Sequence, residues 1–383
     1  MSGRRANTRS QTAWRGRGRG RGDSDRGRRG DSRGCGIGER DGLIHYSHSR
    51  QKPSVERSLE YLPSISRSGG QGGHGDTLKQ SSVQDAYWET IQSKLADHWK
   101  RQYQIKDSLR KENESNLLLH LRKLREGIIS SKREDTFALA VYELSFYLAI
   151  LFDSPAQISA SQSHFTQLFE TLRQPSDFSS TSSLHRKATA FLVTSSLLNL
   201  TEGYPSQKLY YRDLEDFKNL PQSPNDKSDV DCQAWIRSLR SSLNMRNYVQ
   251  SQHLTSFRRV NSIVDRLIPS ESQSEASINN TAPLDDLLGK VIFRLIDSLR
   301  EKLRESAWQV LRAAYRELTV STANDVDLAN SAWVGRALFF DIEDADKKSM
   351  SGLENWKDEK VGEDQLIGKA GMDGRWMICR NKK

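Results

Sequence analysis

The amino-acid sequence predicts a mainly α chain. A helical-repeat array leads into a C-terminal winged helix, and a disordered, Arg-Gly-rich tail precedes both. Three observations carry this expectation. Apolar residues recur three or four apart through most of residues 81–318, the spacing that aligns one helix face. Short stretches rich in Pro, Gly and Ser separate these runs. Past residue 318 the pattern shortens and gains strand-like pieces with glycine between them. The expected divisions are a tail at 1–80, a helical array at 81–285, and a long helix with a winged-helix module at 286–383.

The longest run, 286–318, organises the others. Leu288, Ile292, Leu295, Leu299, Leu303, Ala307, Val310, Ala314 and Leu318 fall on one helical face. Arg300, Glu301, Lys302, Arg304 and Glu305 lie between them and are expected to face water. At 1.5 Å per residue such a helix reaches roughly 50 Å. Its apolar edge requires cover, which the preceding helices are expected to supply.

Those helices are read in order. Residues 85–109 carry Trp88, Ile91, Leu95, Trp99 and Tyr103, and residues 116–129 carry Leu117, Leu121, Leu124 and Ile128. Residues 137–152 are apolar on most sides, which predicts a central, buried helix. Asp153-Ser154-Pro155 ends it. Further helices are expected at 162–172, 184–200, 208–220, 232–243 and 248–268. Pro175 with Ser176–Ser183, Gly203-Tyr204-Pro205, 221–229 and 270–281 are the expected breaks. Such an array buries a continuous core by stacking neighbours, and no strict sequence period recurs in it.

Beyond residue 318, Thr319–Ser321 is short and partly β-branched. Residues 326–340 read as a compact helix containing Trp333, and residues near 352–361 and 375–380 read as strands. Gly371 and Gly374 fall between those two strands. Helix, helix and a two-stranded ribbon make the layout of a winged helix. Trp308 and Trp333, at helical spacing, are expected to fill its core.

Charge is unevenly spread. Residues 1–40 hold twelve arginines against four acids, so nearly all of the formal +9 charge belongs to them. Arg15, Arg17, Arg19 and Arg21 alternate with glycine, and Arg26, Arg28, Arg29 and Arg33 follow. With few large apolar groups, residues 1–80 cannot offset chain entropy and are expected to be disordered. Guanidinium groups bind phosphates bidentately and stack on bases, which makes these eight arginines candidate RNA contacts of low sequence specificity. Lys369, Arg375 and Arg380 are the candidate nucleic-acid contacts on the wing. Asp358, Glu359, Glu363, Asp364 and Asp373 lie among the wing's cations and blunt their field.

No catalytic signature is found. There is no phosphate-binding loop, dinucleotide fingerprint or nucleophile elbow. Eight scattered histidines and three distant cysteines predict no metal site, no cofactor and no disulfide framework. Asp285 and Asp286 begin a helix, where they offset its dipole. The basic start is followed by no apolar run, so no secretory signal is expected. The most apolar stretch, 137–152, is short for a membrane span and contains Glu143.

Three local patterns resemble the Sac/GANP family, germinal-centre-associated nuclear protein and its relatives, which are scaffolds related to PCI domains. They are Leu243-Asn244-Met245-Arg246-Asn247-Tyr248-Val249 with Phe257-Arg258-Arg259; Leu299-Arg300-Glu301-Lys302 running into Leu311-Arg312-Ala313-Ala314-Tyr315-Arg316; and Thr319-Val320-Ser321-Thr322 before Val334-Gly335-Arg336-Ala337-Leu338-Phe339-Phe340-Asp341. The likeness covers residues 235–341. It implies a PCI-like platform carrying a winged helix, with no enzymatic activity. The implied partners are a PCI-type protein subunit, small export or processing factors, and RNA. The implied setting is messenger-RNA export or transcript processing in the nucleus, with shuttling to the cytoplasm, in a hetero-complex rather than a homo-oligomer and away from membranes. The family's hairpin is interrupted here between Val249 and Phe257. A structural PCI subunit of a proteasome-lid-like, signalosome-like or translation-initiation assembly is the competing expectation.

Overall fold

A long helix links two hydrophobic cores. In the computed structural model, residues 74–172, 181–216, 227–268, 282–321, 323, 325–341 and 350–379 are described, and all lie in one compact unit. The eight tail arginines, Arg380, the Pro175–Ser180 segment and the 270–281 segment fall outside them. Among the described residues are twelve α-helices and one three-stranded sheet, so the chain is mainly helical.

A 3-10 turn (His74–Lys79) precedes α1 (Ser81–Arg101), α2 (Asp107–Ser131), α3 (Thr136–Leu151) and α4 (Pro155–Leu172). Then follow α5 (Thr181–Gly203), α6 (Lys208–Asp216), α7 (Lys227–Asn244), α8 (Tyr248–Leu254) and α9 (Phe257–Leu267). Two expected helices are each divided. The run at 85–109 breaks after Arg101, and Tyr103 stands almost fully exposed in the break. The run at 248–268 breaks at Thr255-Ser256, whose hydroxyls turn back onto Ser251 and His253 carbonyls. Such side-chain bonds compete with helical continuity.

α3 is the centre of the first core. The Asp135 carboxylate caps it by accepting from the Ala138 amide at 2.9 Å. Nearly every residue from Ala138 to Ile150 is buried. Phe146, Phe165, Phe169 and Phe191 from α3, α4 and α5 form one aromatic cluster, with centroids 4.4 Å apart for Phe165 and Phe191. Gly127 of α2 admits the 3-10 turn, because a Cβ there would lie 2.7 Å from the Leu78 carbonyl oxygen.

The long helix α10 (Ala282–Ala314) runs beside α3, α5 and α9. Leu288, Ile292, Leu295, Leu299, Leu303 and Ala307 are buried as expected. The stripe then moves. Val310 and Ala314 are exposed, while Trp308 and Leu311 enter a second core. Leu318 lies beyond the helix, in β1 (Glu317–Thr319). Arg300, Lys302 and Arg304 also depart from expectation, since each turns toward protein carbonyls rather than water.

The second core contains α11 (Asp325–Ala337), α12 (Ser351–Gly362), β2 (Leu366–Gly368) and β3 (Arg375–Ile378). The strand expected near 352–361 is a helix, because Leu353, Trp356 and Lys360 are buried at spacings of three and four. The ribbon has three strands rather than two. β3 pairs antiparallel with β1 (Leu318 opposite Trp376) and with β2 (Ile367 opposite Met377), giving the order β1-β3-β2. Trp308 meets Trp356 edge-on at 5.1 Å and donates through Nε1 to Gln365. Trp333 is not in this core; it is 43% exposed.

Candidate functional site

The sequence-nominated wing cations are brought together, but around a carboxylate. Lys369 Nζ lies 2.7 Å from Glu317 Oε2, and Arg375 Nη1 lies 3.7 Å from Oε1. The Lys369 bond is the first cause holding the Glu317 carboxyl below its ordinary pKa. Glu317 lies on β1 and the two cations on the β2–β3 hairpin, so this triad fastens the sheet as well as muting its charge. The nine other nominated arginines lie outside the described residues.

A polar latch missed by sequence patterning joins the two cores. The Arg300 guanidinium is buried and donates to the carbonyls of Phe339 and Thr255, and Nη1 meets Asp341 Oδ2 at 2.6 Å. One turn on, Arg304 donates to the Leu338 carbonyl at 2.9 Å and lies over the Phe340 ring at 4.3 Å. The Thr255 carbonyl lies at the break between α8 and α9, and those of Leu338 and Phe339 at the end of α11, where Phe339 takes a left-handed backbone with φ 62°. That conformation is uncommon outside glycine. It turns the Phe339 ring back into the first core, edge-on to Tyr248. Burial raises the pKa of nearby Asp297.

Beside this latch lies an apolar groove of about 330 Å³. α8 contributes Tyr248 and Val249, α10 contributes Val310 and Leu311, and α11 contributes Trp333 and Arg336. Val249 is 83% exposed and Val310 50% exposed. Tyr315 extends the wall by meeting Trp333 edge-on at 5.5 Å. Scattered exposed apolar residues are ordinary, but several lining one concavity mark a contact surface. A trace of the groove is legible in the sequence: α11 has apolar residues on two sides, and only one can face the second core.

A second concavity, of about 380 Å³, separates α1 from α2. His98, Arg101, Asn113 and His120 are among its lining groups. His98 is buried with neither ring nitrogen hydrogen-bonded, and Nε2 is 3.9 Å from Glu114 Oε1. Burial lowers the His98 pKa and raises that of Glu114. His120 Nδ1 is instead bonded to the Tyr87 hydroxyl at 2.6 Å.

Among the described residues, no group of three or more His, Cys, Asp or Glu could hold a metal ion. No helix among them is long and apolar enough to cross a membrane. No protein-family model matches the chain, and no curated protein matches it.

Proposed function

We propose that this chain is a non-catalytic nuclear scaffold of the Sac/GANP type. On this reading the helical stack is a PCI-like repeat platform, and its long last helix carries a winged helix. The scaffold joins a PCI-type subunit and small export or processing factors to RNA during messenger-RNA export or transcript processing. The Arg-Gly tail reaches the RNA.

The order of elements beyond Trp308 carries the reading. The end of a long helix is followed by a short strand, two helices and a terminal hairpin, with sheet order β1-β3-β2. That is the order a winged helix requires. The Arg300 latch supports it by joining this module to the helical stack through side-chain bonds, as a composite docking surface needs. The tail supplies the cations, since phosphate contacts supply low-specificity affinity for nucleic acid.

Affinity purification of the full chain, with and without residues 1–40, tests the proposal. The intact chain enters a nuclear ribonucleoprotein or export assembly. Deletion lowers RNA recovery and flattens the dependence of RNA affinity on salt. A chain that enters no such assembly removes the scaffold reading, and an unchanged salt slope removes the tail as the RNA contact.

One observation favours the second reading, a structural PCI subunit of a lid-like, signalosome-like or initiation assembly. Glu317 engages both described wing candidates, Lys369 and Arg375, which suits a protein interface better than a phosphate backbone. Co-sedimentation with such a particle, independent of residues 1–40, distinguishes it.

A further inference from the structure

We propose that the groove between α8, α10 and α11 receives an acidic amphipathic helix from a different protein. A bulky aliphatic side chain of that helix seats against Trp333, and a carboxylate beside it pairs with Arg336. The inference rests on the scaffold reading and names the chemistry of the partner segment.

Shape is the first argument. All three walls are helices, so the groove offers no strand edge to which an extended peptide could add. Its volume is near the lower limit of about 300–1,000 Å³ typical of ligand pockets. A space this size takes a few anchoring side chains rather than a folded segment, which is how an amphipathic helix engages a groove. The apolar track also continues along α11. Val326 is 70% exposed and lies two turns before Trp333 on the same face.

Charge is the second argument. Arg336 lines the groove and is exposed, with no ion-pair partner among the described residues. Arg246, two residues before Tyr248, and Arg316, next to Tyr315, are likewise exposed without an ion pair among them. Asp325 and Asp327 are at the opposite end of α11. An unpaired Arg336 beside an apolar floor selects an acidic, apolar segment and disfavours a basic one. RNA is disfavoured because Ala307, Val310 and Leu311 form an aliphatic surface where bases and phosphates would need polar partners.

The test uses the full chain in cells, with the photo-crosslinking residue benzoylphenylalanine replacing Val249 and, as an off-site control, Ile367. Joined segments are sequenced. At position 249 the expected product is an apolar, acidic segment of another protein. Trp333→Ala abolishes it, and Arg336→Glu lowers its yield several-fold at an unchanged melting temperature. The exposed Arg336 position preserves the test should Trp333→Ala disturb folding. Products containing RNA, a second copy of this chain, its own tail or a basic segment would overturn the assignment, as would no product. If the wild-type chain enters a nuclear RNA assembly while position 249 joins nothing, the groove assignment fails and the scaffold reading survives. If the chain enters no such assembly, the scaffold reading fails whatever position 249 joins.

Discussion

The aromatic cluster of Phe146, Phe165, Phe169 and Phe191 is fully buried within the helical stack, whereas the core beyond Ala307 gathers twelve of the described residues, all apolar and buried, around Trp308 and Trp356. The first region buries α3 on almost every side. The second has a three-stranded sheet whose β2–β3 hairpin leaves Ile367, Met372 and Met377 substantially exposed. Small cores leave less margin between burial and chain entropy. The end module accordingly draws on single polar and conformational devices: the Arg300 and Arg304 guanidinium groups bonded to its carbonyls, and glycines with positive φ in its hairpin. The stack should therefore respond to loss of apolar volume, and the end module to loss of single polar or conformational contacts.

The largest effect is expected from Phe191→Ala. It removes a fully buried ring in contact with three other rings, at a cost of about 3–5 kcal/mol. Denaturant unfolding should show the loss in the global transition. A change below about 1 kcal/mol would mean that the cluster collapses around the gap and is not the rigid centre described.

Arg300→Met comes next, at about 3 kcal/mol, because buried carbonyls left without a donor cost about 1–3 kcal/mol each. The Phe339 and Thr255 carbonyls lose their donor, and Asp341 loses its cation. Hydrogen exchange should quicken in α11 and around Phe339 while α3 stays protected. Equal loosening of both regions would show that the latch belongs to a single cooperative core, erasing the contrast.

These two sites differ in how far the sequence could reveal them. Leu288 to Ala307 were legible because a 3.6-residue period records one helix face directly. The shift to Trp308 and Leu311 was not, because periodicity records a face and not the neighbour that covers it. α10 leaves one core for another there, and its buried side rotates by about one residue. Arg300 and Arg304 read as solvent-facing for a related reason. Their partners are carbonyls 34 to 45 residues away in sequence, freed where Thr255 interrupts a helix and where α11 ends. The 351–362 helix was hidden by Trp356 and Val361, which suit strands as well. Of the groove, Trp333 was visible as an aromatic at helical spacing. Its outward direction depends on which side of α11 the second core occupies.

Gly374→Ala should cost about 1–3 kcal/mol, confined to the sheet. Gly374 has φ 76°, and an added Cβ would lie 2.3 Å from Ser321 Cβ. Both penalties fall where β3 begins beside the end of β1. The expected result is faster amide exchange at Val320, whose N–H donates to the Gly374 carbonyl, with little change in α3. A melting temperature and exchange pattern equal to wild type would show that the hairpin absorbs the methyl group and is looser than the module requires.

The smallest effect separates the two regions by pH. The folded pKa of His98 is below its ordinary 6.5, first through burial and then through Arg110. Between that lowered value and 6.5 the unfolded chain binds more protons, so stability falls as pH drops through this window and levels off beneath it. Glu114 acts in the opposite direction. Burial raises its pKa above 4.5, so acidification through the interval above 4.5 favours the folded state. Glu317 in the end module is depressed, chiefly by Lys369, so its contribution is present above 4.5 and is lost only as pH falls further. From neutrality downward, the stack should therefore lose stability first and the sheet later. Melting curves taken in pH steps should show His98→Phe losing the early decline while retaining the late one, and Lys369→Met doing the reverse. An early decline that persists in His98→Phe would remove His98 as its source and, with it, the acid sensitivity assigned to the α1–α2 seam.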